Sequence, residues 1–248
     1  MHRFYLPPEC CAGNALRLDG REAHHAVNVL RLKHGELVSV LDGAGNEFIC
    51  TVDAVLRNAV TLSISLKNFV AAPTCAITLL VAIPKGKIIE SIIQKSVELG
   101  ARRIVPLLTE RVLTHLDDGD AESKCDKWQQ IAIEAVKQCG AKWLPKVETP
   151  LPIEKFLARN ERFDLSLVGS LQQERRRPKE IFREFESKHK RLPQSIAVCV
   201  GPEGDFTLEE LKAIQNSGAL PVTLGNLTLR VETAAIYCLS MVNYELNS

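Results

Sequence analysis

The chain has 248 residues, 46% hydrophobic and 25% charged, with a formal charge of +1. That profile suits a soluble globular protein with a sizeable core. It excludes a membrane-spanning protein, since no apolar stretch is long enough to cross a bilayer, and Met1-His2-Arg3-Phe4-Tyr5 lacks the apolar core of a signal peptide.

The expected address is therefore cytoplasmic, with no membrane partner. The balanced charge means that any nucleic-acid site has to be a local patch. Cysteines stand at 10, 11, 50, 75, 125, 139, 199 and 238 with no Cys-x-x-Cys pair. They read as reduced, buried small hydrophobes, and no metal is expected.

From Arg3 to about Lys67 the pattern is of short strands and turns. Val38 to Leu41, Glu47 to Val52 and Val60 to Ile64 have strand character, punctuated by Asp42-Gly43-Ala44-Gly45-Asn46 and Arg57-Asn58. A small β-barrel is the natural reading. Glu22 to Leu32 looks helical, with apolar positions 26, 27, 29 and 30. On it, His25 and Arg31 are either phosphate contacts or solvated side chains of a helix packed on the barrel.

The texture changes around Phe69-Val70-Ala71-Ala72-Pro73, which places a domain boundary between 1–70 and 73–248. Strands and helices then alternate. A strand from Ile77 to Ile83 precedes a helix from Ile88 to Leu99, and a strand from Arg103 to Leu107 precedes a helix from Lys124 to Gln138. Leu144 to Val147, a helix near Ile153 to Ala158, a strand from Leu165 to Val168 and a helix from Lys179 to Lys188 follow. Such alternation implies an α/β fold with a mostly parallel sheet covered on both faces. The first of these helices puts Ile88, Ile89, Ile92, Ile93 and Val97 on one face and leaves Lys87, Glu90, Gln94, Lys95 and Glu98 outside or at the edge. The run Arg175-Arg176-Arg177-Pro178-Lys179 is either a solvated charge cluster or a phosphate contact.

Near the C-terminus an apolar run, Ile196 to Val200, enters Gly201-Pro202-Glu203-Gly204-Asp205-Phe206 and then Thr207-Leu208-Glu209-Glu210. This is a strand, a glycine-bearing loop and a helix opened by a Thr-x-x-Glu capping box. Glycine lets the backbone approach a ligand, and the helix start offers unpaired N–H groups. Val222 to Ala235 repeats the scheme, with a short strand, a loop starting at Gly225 and a final helix. Loops at neighbouring ends of one parallel sheet can face each other across a crevice.

The pairing of Gly201-Pro202-Glu203-Gly204 with Leu224-Gly225-x-x-x-Leu229-Arg230-x-Glu232-Thr233-Ala234 resembles the RsmE family, SPOUT-superfamily methyltransferases that modify uridine N3 in small-subunit ribosomal RNA. Pro84-Lys85-Gly86-Lys87, Gln94-Lys95-x-x-Glu98-Leu99-Gly100, Thr109-Glu110-Arg111-Val112 and the segment from Lys127 to Gly140 are similar to the same family. So, in the N-terminal part, are His24-His25, Val29 to Lys33 with Gly35, and Asp42-Gly43-x-Gly45.

The resemblance implies a PUA-like RNA-binding β-barrel followed by a SPOUT domain with a trefoil knot. It also implies S-adenosyl-L-methionine as cofactor, 16S rRNA of the small subunit as partner, and a homodimer completed through the last helix, whose stripe is Ala234, Ala235, Cys238, Leu239, Val242 and Leu246. The cofactor pocket is expected from Val168-Gly169-Ser170, Gly201 to Gly204 and Leu224 to Leu229; its residues are Val168, Gly169, Val200, Gly201, Pro202, Glu203, Gly204, Leu224, Gly225, Leu227, Leu229 and Thr233. His25, Arg31, Lys85, Lys87, Lys95 and Gln138 are the expected RNA contacts. Neutral uridine carries a proton on N3, so its methylation needs a cation or base that favours the anion. Arg230 is the candidate to stabilise that charge, and Glu232 to orient Arg230 or the loop; the bland alternative is a pair that pins the C-terminal helix. The chain departs from the family at Ala141, where arginine is usual and Lys142 is the nearest substitute, and at Asp205, where glycine is common. Two other readings are a SPOUT methyltransferase for another RNA nucleotide and a non-catalytic RNA-binding ribosome-assembly protein.

Overall fold

The computed structural model of the chain describes residues 1–111, 118–169 and 175–247. Val112 and Ser170, each part of a motif above, lie outside them. Contacts divide the chain into two compact units, one of Met1–Ala72 with Ile133–Leu144, the other of Pro73–Ala132 with Pro145–Ser248. The break after Ala72 coincides with the change of texture near Pro73. The return of 133–144 to the first unit leaves no local mark in the sequence.

In the first unit, β1 (His2–Tyr5), β2 (Ala15–Leu18), β3 (Leu37–Leu41), β4 (Asn46–Val55) and β5 (Val60–Phe69) form one sheet in the order β1-β3-β4-β5-β2. The pairing path is open, with β1 parallel to β3 and the other pairs antiparallel. Period-two alternation turns Phe48, Cys50 and Val52 of β4 inward, where they meet Phe4, Leu16, Leu18, Val38, Val40, Val60 and Leu62 in a single core. The helix expected over Glu22 to Leu32 is shorter and differently wound. Gly20–His24 (α1) is α-helical, His25–Val29 is a π-turn closed by Leu30 N–H donating to the His25 carbonyl at 2.9 Å, and Arg31 is left-handed with φ 55°.

The segment 133–144 is held to this unit by charge. Lys137, with a side chain only 6% exposed, places Nζ 2.8 Å from Glu22 and 3.0 Å from Glu134. Arg3 donates to the carbonyls of Lys137 at 3.3 Å and Gln138 at 2.9 Å, acceptors that the end of α3 (Asp118–Cys139) would otherwise leave unpaired. Lys142 is committed to Glu47 at 2.8 Å, with both side chains mostly buried, and is not a free substitute for the arginine missing at Ala141.

The second unit is built on a seven-stranded sheet. Its strands are β6 (Ala76–Ala82), β7 (Arg103–Leu108), β8 (Lys146–Val147), β9 (Leu151–Pro152), β10 (Leu165–Gly169), β11 (Ser195–Val200) and β12 (Leu220–Val222). Their order is β12-β10-β11-β6-β7-β8, with β9 also on β7, and every one of these pairs is parallel. The near-continuous apolar runs of β6 and β11 follow from burial on both faces. Ile89, Ile92, Ile93 and Val97 of α2 (Ile88–Glu98) are buried, while Ile88 is only half-buried at the rim. Helix α7 (Val231–Asn247) packs on α2, on α5 (Pro178–His189) and on strands β6 and β11. Its stripe Ala234, Ala235, Cys238, Leu239 and Val242 is consumed by this core, with Leu246 half-buried at its end. Helices α4 (Ile153–Leu157) and α6 (Leu208–Asn216) pack on one another.

Cysteine burial is mixed. Desolvation pushes the thiols of Cys50 and Cys238 up to about 12 and that of Cys75 to about 11, consistent with inert, protonated core residues. Cys10 and Cys139 are exposed, against expectation, each being the last residue of a helical segment and not part of an apolar run. Among the described residues no His, Cys, Asp and Glu cluster is disposed to hold a metal, and no helix is long and apolar enough to cross a membrane.

Candidate active site

Parallel pairing sets the C-terminal ends of β10, β11 and β12 side by side. Gly169 is in register with Val222, and Val168 with Cys199, so the loops leaving Val200 and Val222 open at one edge of the sheet. They border an open-mouthed cavity lined by apolar Val200, Leu224, Leu227, Leu229, Val231 and Ala234, by Gly169, Gly201, Pro202 and Gly225, and by Arg175, Glu203, Asp205 and Thr228. A mostly apolar hollow with a few convergent polar groups is the usual form of a small-molecule site.

Two glycines make the hollow possible. A Cβ on Gly169 would stand 3.2 Å from Leu224 Cδ1, and one on Gly201 would stand 3.1 Å from the Phe206 ring and 3.2 Å from Asp205 Oδ1. Gly225 serves a different need, its φ of +105° being conformationally closed to most side chains.

The loop from Gly201 to Thr207 is braced from three directions. The Asp205 N–H donates to the Pro202 carbonyl at 2.9 Å, which turns the chain back on itself with Asp205 in the left-handed region, φ 59°. Arg111, just beyond β7, donates to the Gly204 carbonyl and, at 3.4 Å, to that of Phe206. The Lys85 N–H, beyond β6, donates to Glu203 Oε1 at 3.0 Å. The capping box forms as the sequence predicts: Thr207 Oγ1 accepts from the Glu210 N–H at 3.2 Å, and Glu210 accepts from the Thr207 N–H at 2.8 Å. Glu210 has a second task, accepting the Glu110 N–H at 2.8 Å, so one buried carboxylate ties the β7 loop to the start of α6.

Most residues expected around the cavity line it. Val168 is fully buried behind it, while Gly204 and the exposed Thr233 are not among its lining residues. Thr228 lies within the expected loop from Leu224 to Leu229 and Asp205 is the family departure beside the other loop, whereas Arg175, Val231 and Ala234 line the cavity without having been singled out for it. Arg175 carried a signal, since it opens the basic run. That run is divided: Arg175 faces the cavity, whereas Arg176 pairs with Glu184 and bridges Val222 through its backbone.

Arg230 is exposed between the lining residues Leu229 and Val231, and its carbonyl accepts the Ala234 N–H at 2.8 Å at the start of α7. Glu232 is half-buried, and among the described residues no ion pair or hydrogen bond joins it to Arg230. Neither the expected orienting contact nor the bland pinning pair is formed among the described residues; Arg230 precedes α7 and Glu232 stands in its first turn.

The expected RNA contacts divide between the units. In the first, His25 is half-buried edge-on to Phe4, with centroids 6.1 Å apart, while Arg31 and Gln138 are exposed. In the second, Lys85 and Lys87 are exposed in the loop after β6, and Lys95 is neutralised by Glu98 at 2.9 Å. Such an exposed pair contributes little, and the Lys85 and Lys87 side chains have no acidic partner among the described residues.

Comparison with known proteins bears on the chain's whole length. A family described as the RNA methyltransferase domain matches residues 71–243, and one described as the RNA methyltransferase PUA domain matches residues 18–65. The chain is 32% identical to Ribosomal RNA small subunit methyltransferase E of Synechocystis, across 100% of this chain and 78% of that protein. It is 31% identical to the Bacillus subtilis protein of the same name, across 92% of this chain and 89% of the relative. Among solved structures, a Legionella pneumophila methyltransferase in complex with S-adenosylmethionine is similar with a TM-score of 0.86 at 31% identity, covering 98% of this chain and 96% of that one. The Neisseria gonorrhoeae Ribosomal RNA small subunit methyltransferase E bound to S-adenosylmethionine is similar with a TM-score of 0.86 at 27% identity, covering 98% and 97%.

Proposed function

We propose, from the premise that this chain belongs to the family of ribosomal RNA small subunit methyltransferases E, that it methylates N3 of a uridine in 16S rRNA with S-adenosylmethionine bound in the cavity at the ends of β10, β11 and β12. It is an S-adenosylmethionine-dependent rRNA methyltransferase with an N-terminal PUA-like domain and an α/β methyltransferase fold. The observation that carries the site assignment is the cradle at Gly169 and Gly201, which side chains would fill, beside apolar walls suited to a purine.

When bound, the cofactor supplies an electrophilic methyl group on a sulfonium. The chain's own residues do the rest. Val200, Leu224, Leu229, Val231 and Ala234 would wall the cofactor's adenosine part and exclude water, and Arg111 and the Lys85 N–H hold the loop that would carry it. Arg230, exposed and without an acidic partner among the described residues, meets the negative charge that uracil develops as N3 loses its proton, and Glu232 orients that guanidinium once the base is in place. In the second unit Lys85 and Lys87 hold phosphates near the cavity; in the first, His25, Arg31 and Gln138 form the corresponding RNA face. We assign residues 1–70 to RNA binding and 73–248 to catalysis.

Two further features belong to this reading. The chain at Arg176 runs along the free side of β12, donating to Pro221 and accepting from Thr223. A trefoil knot, as the family resemblance implies, belongs to the same reading, with the bridge between Arg176 and Val222 at that edge of the sheet. The predicted interface stripe of α7 is spent on the core, but Tyr237 and Tyr244 are 48% and 69% exposed on its outer side, with Leu227 78% exposed nearby in sequence. These apolar groups support a homodimer through that face. Sedimentation of the purified chain as a monomer at micromolar concentration would refute it.

The decisive experiment is transfer of a labelled methyl group to small subunits lacking the mark, followed by nucleoside analysis. The expected product is 3-methyluridine. Label in another nucleoside would point to a different target, and no label together with no calorimetric binding of the cofactor at millimolar concentration would leave an assembly protein.

Arg111 gives an independent check on the pocket. Arg111→Met keeps an apolar stem against Gly204 but removes both carbonyl contacts. The KM for S-adenosylmethionine is expected to rise about five- to tenfold, with kcat within about twofold, as for loss of one charged hydrogen-bond donor. An unchanged KM would remove Arg111 from the site.

A further inference from the structure

We infer that Asp205 makes the site distinguish the methyl donor from the demethylated product by charge. The inference rests on the reading that this cavity holds S-adenosylmethionine. In the transfer the S–CH3 bond breaks with its electron pair left on sulfur, N3–CH3 forms, and the N3 proton leaves to solvent. The donor thus carries one more positive charge than S-adenosylhomocysteine, while the amino acid and adenosine parts are common to both.

Asp205 is placed to read that difference. It occupies a left-handed position, φ 59°, that glycine would take without strain. Its carboxylate is fixed rather than solvated at random: Oδ1 accepts the Phe206 N–H at 2.8 Å and lies 3.2 Å from where a Cβ on Gly201 would stand, so it faces the cradle at close range. The residue lines the cavity, and among the described residues no cation pairs with it, the nearby Arg111 being turned onto the Gly204 and Phe206 carbonyls. Glu203, the other acid of the lining, already accepts the Lys85 N–H, and Arg175 is the lining guanidinium among the described residues. Among the described residues the lining therefore carries two carboxylates against one guanidinium. In a cleft of lowered dielectric this imbalance favours a ligand with an additional positive charge.

The experiment is calorimetric titration of the full-length chain with S-adenosylmethionine, S-adenosylhomocysteine and sinefungin, an analogue with an amine cation where the sulfonium stood. Asp205→Asn keeps the acceptor for the Phe206 N–H and a side chain that tolerates the left-handed region, and removes only the charge. It is expected to weaken S-adenosylmethionine and sinefungin roughly three- to tenfold while leaving S-adenosylhomocysteine within about twofold, a difference that shrinks at high salt. Asp205→Gly is expected to shift the ratio by the same factor with a higher unfolding temperature, since the strained position is relieved. A ratio of product to donor affinity that is the same in the Asn variant and the unaltered protein overturns the inference. If the unaltered protein binds none of the three ligands, it is the assignment of the cavity that fails, and the inference with it.

Discussion

Replacing Gly201 by valine is expected to abolish S-adenosylmethionine binding, with an affinity loss above about 100-fold, while the chain still folds. The Cβ alone would stand 3.1 Å from the Phe206 ring, whose side chain is 4% exposed, and 3.2 Å from Asp205 Oδ1. The two further methyls of valine have only the cavity or that ring to enter. Overpacking of this kind costs about 1–3 kcal/mol where the surroundings cannot yield, and a loop held by Arg111, Lys85 and Glu210 yields poorly. The loss falls on the ligand because the cavity is where the new atoms go. Gly201→Ala is expected to fall between, with roughly tenfold weaker binding. The measurement is isothermal titration alongside urea unfolding: a valine variant that binds the cofactor normally would show that the loop does not form the site, and one that loses binding only by unfolding would show up in the urea midpoint.

Arg230→Ala is expected to lower kcat for methyl transfer by about 10²–10³-fold, the range for removing one donor that meets charge developing in a transition state. The affinity for S-adenosylmethionine should stay within about threefold, because in the proposed role the guanidinium acts on the base being methylated and not on the cofactor. The structure makes the split sharp. Arg230 is exposed and joined to no acid among the described residues, so its removal orphans no buried partner, and its backbone carbonyl keeps the hydrogen bond to Ala234 whatever the side chain. Single-turnover kinetics on undermethylated subunits separate the two effects. Equal losses of affinity and rate would make Arg230 a binding residue, and an unchanged rate would reduce it to scaffolding. Arg230→Lys, which keeps charge without the planar fork, should recover part of the rate.

Much of this was legible locally. The Thr207 and Glu210 capping box, the apolar run into Gly201 and the glycine at 225 are each written within a few residues, because propensity, caps and turn chemistry act over one or two turns of chain. The alternation of strands and helices from Ala76 onward follows equally from apolar period, and parallel order from the alternation itself. Short elements were less legible. Strands β9 and β12 each contain proline, and the turn around Thr223 begins where a strand was expected to continue, since Thr223 Oγ1 captures the Gly225 N–H at 3.3 Å.

What only the tertiary structure decided is which distant groups meet. Arg111 grips the Gly204 carbonyl across 93 positions of chain, Glu210 reaches the Glu110 N–H across 100, and Glu203 the Lys85 N–H across 118. Lys142 is taken by Glu47, and Lys137 by Glu22, so neither basic side chain near the Ala141 departure is left over. Asp205 shows the division most clearly: as a letter it is a departure from glycine that sets an anionic side chain beside the loop, with cofactor affinity or the charge seen by the substrate at stake, and in the fold it is a fixed carboxylate on the wall of the cavity. Backbone preferences are local and can be read one turn at a time, whereas a hydrogen bond between loops exists only after strand order and register have brought the loops together.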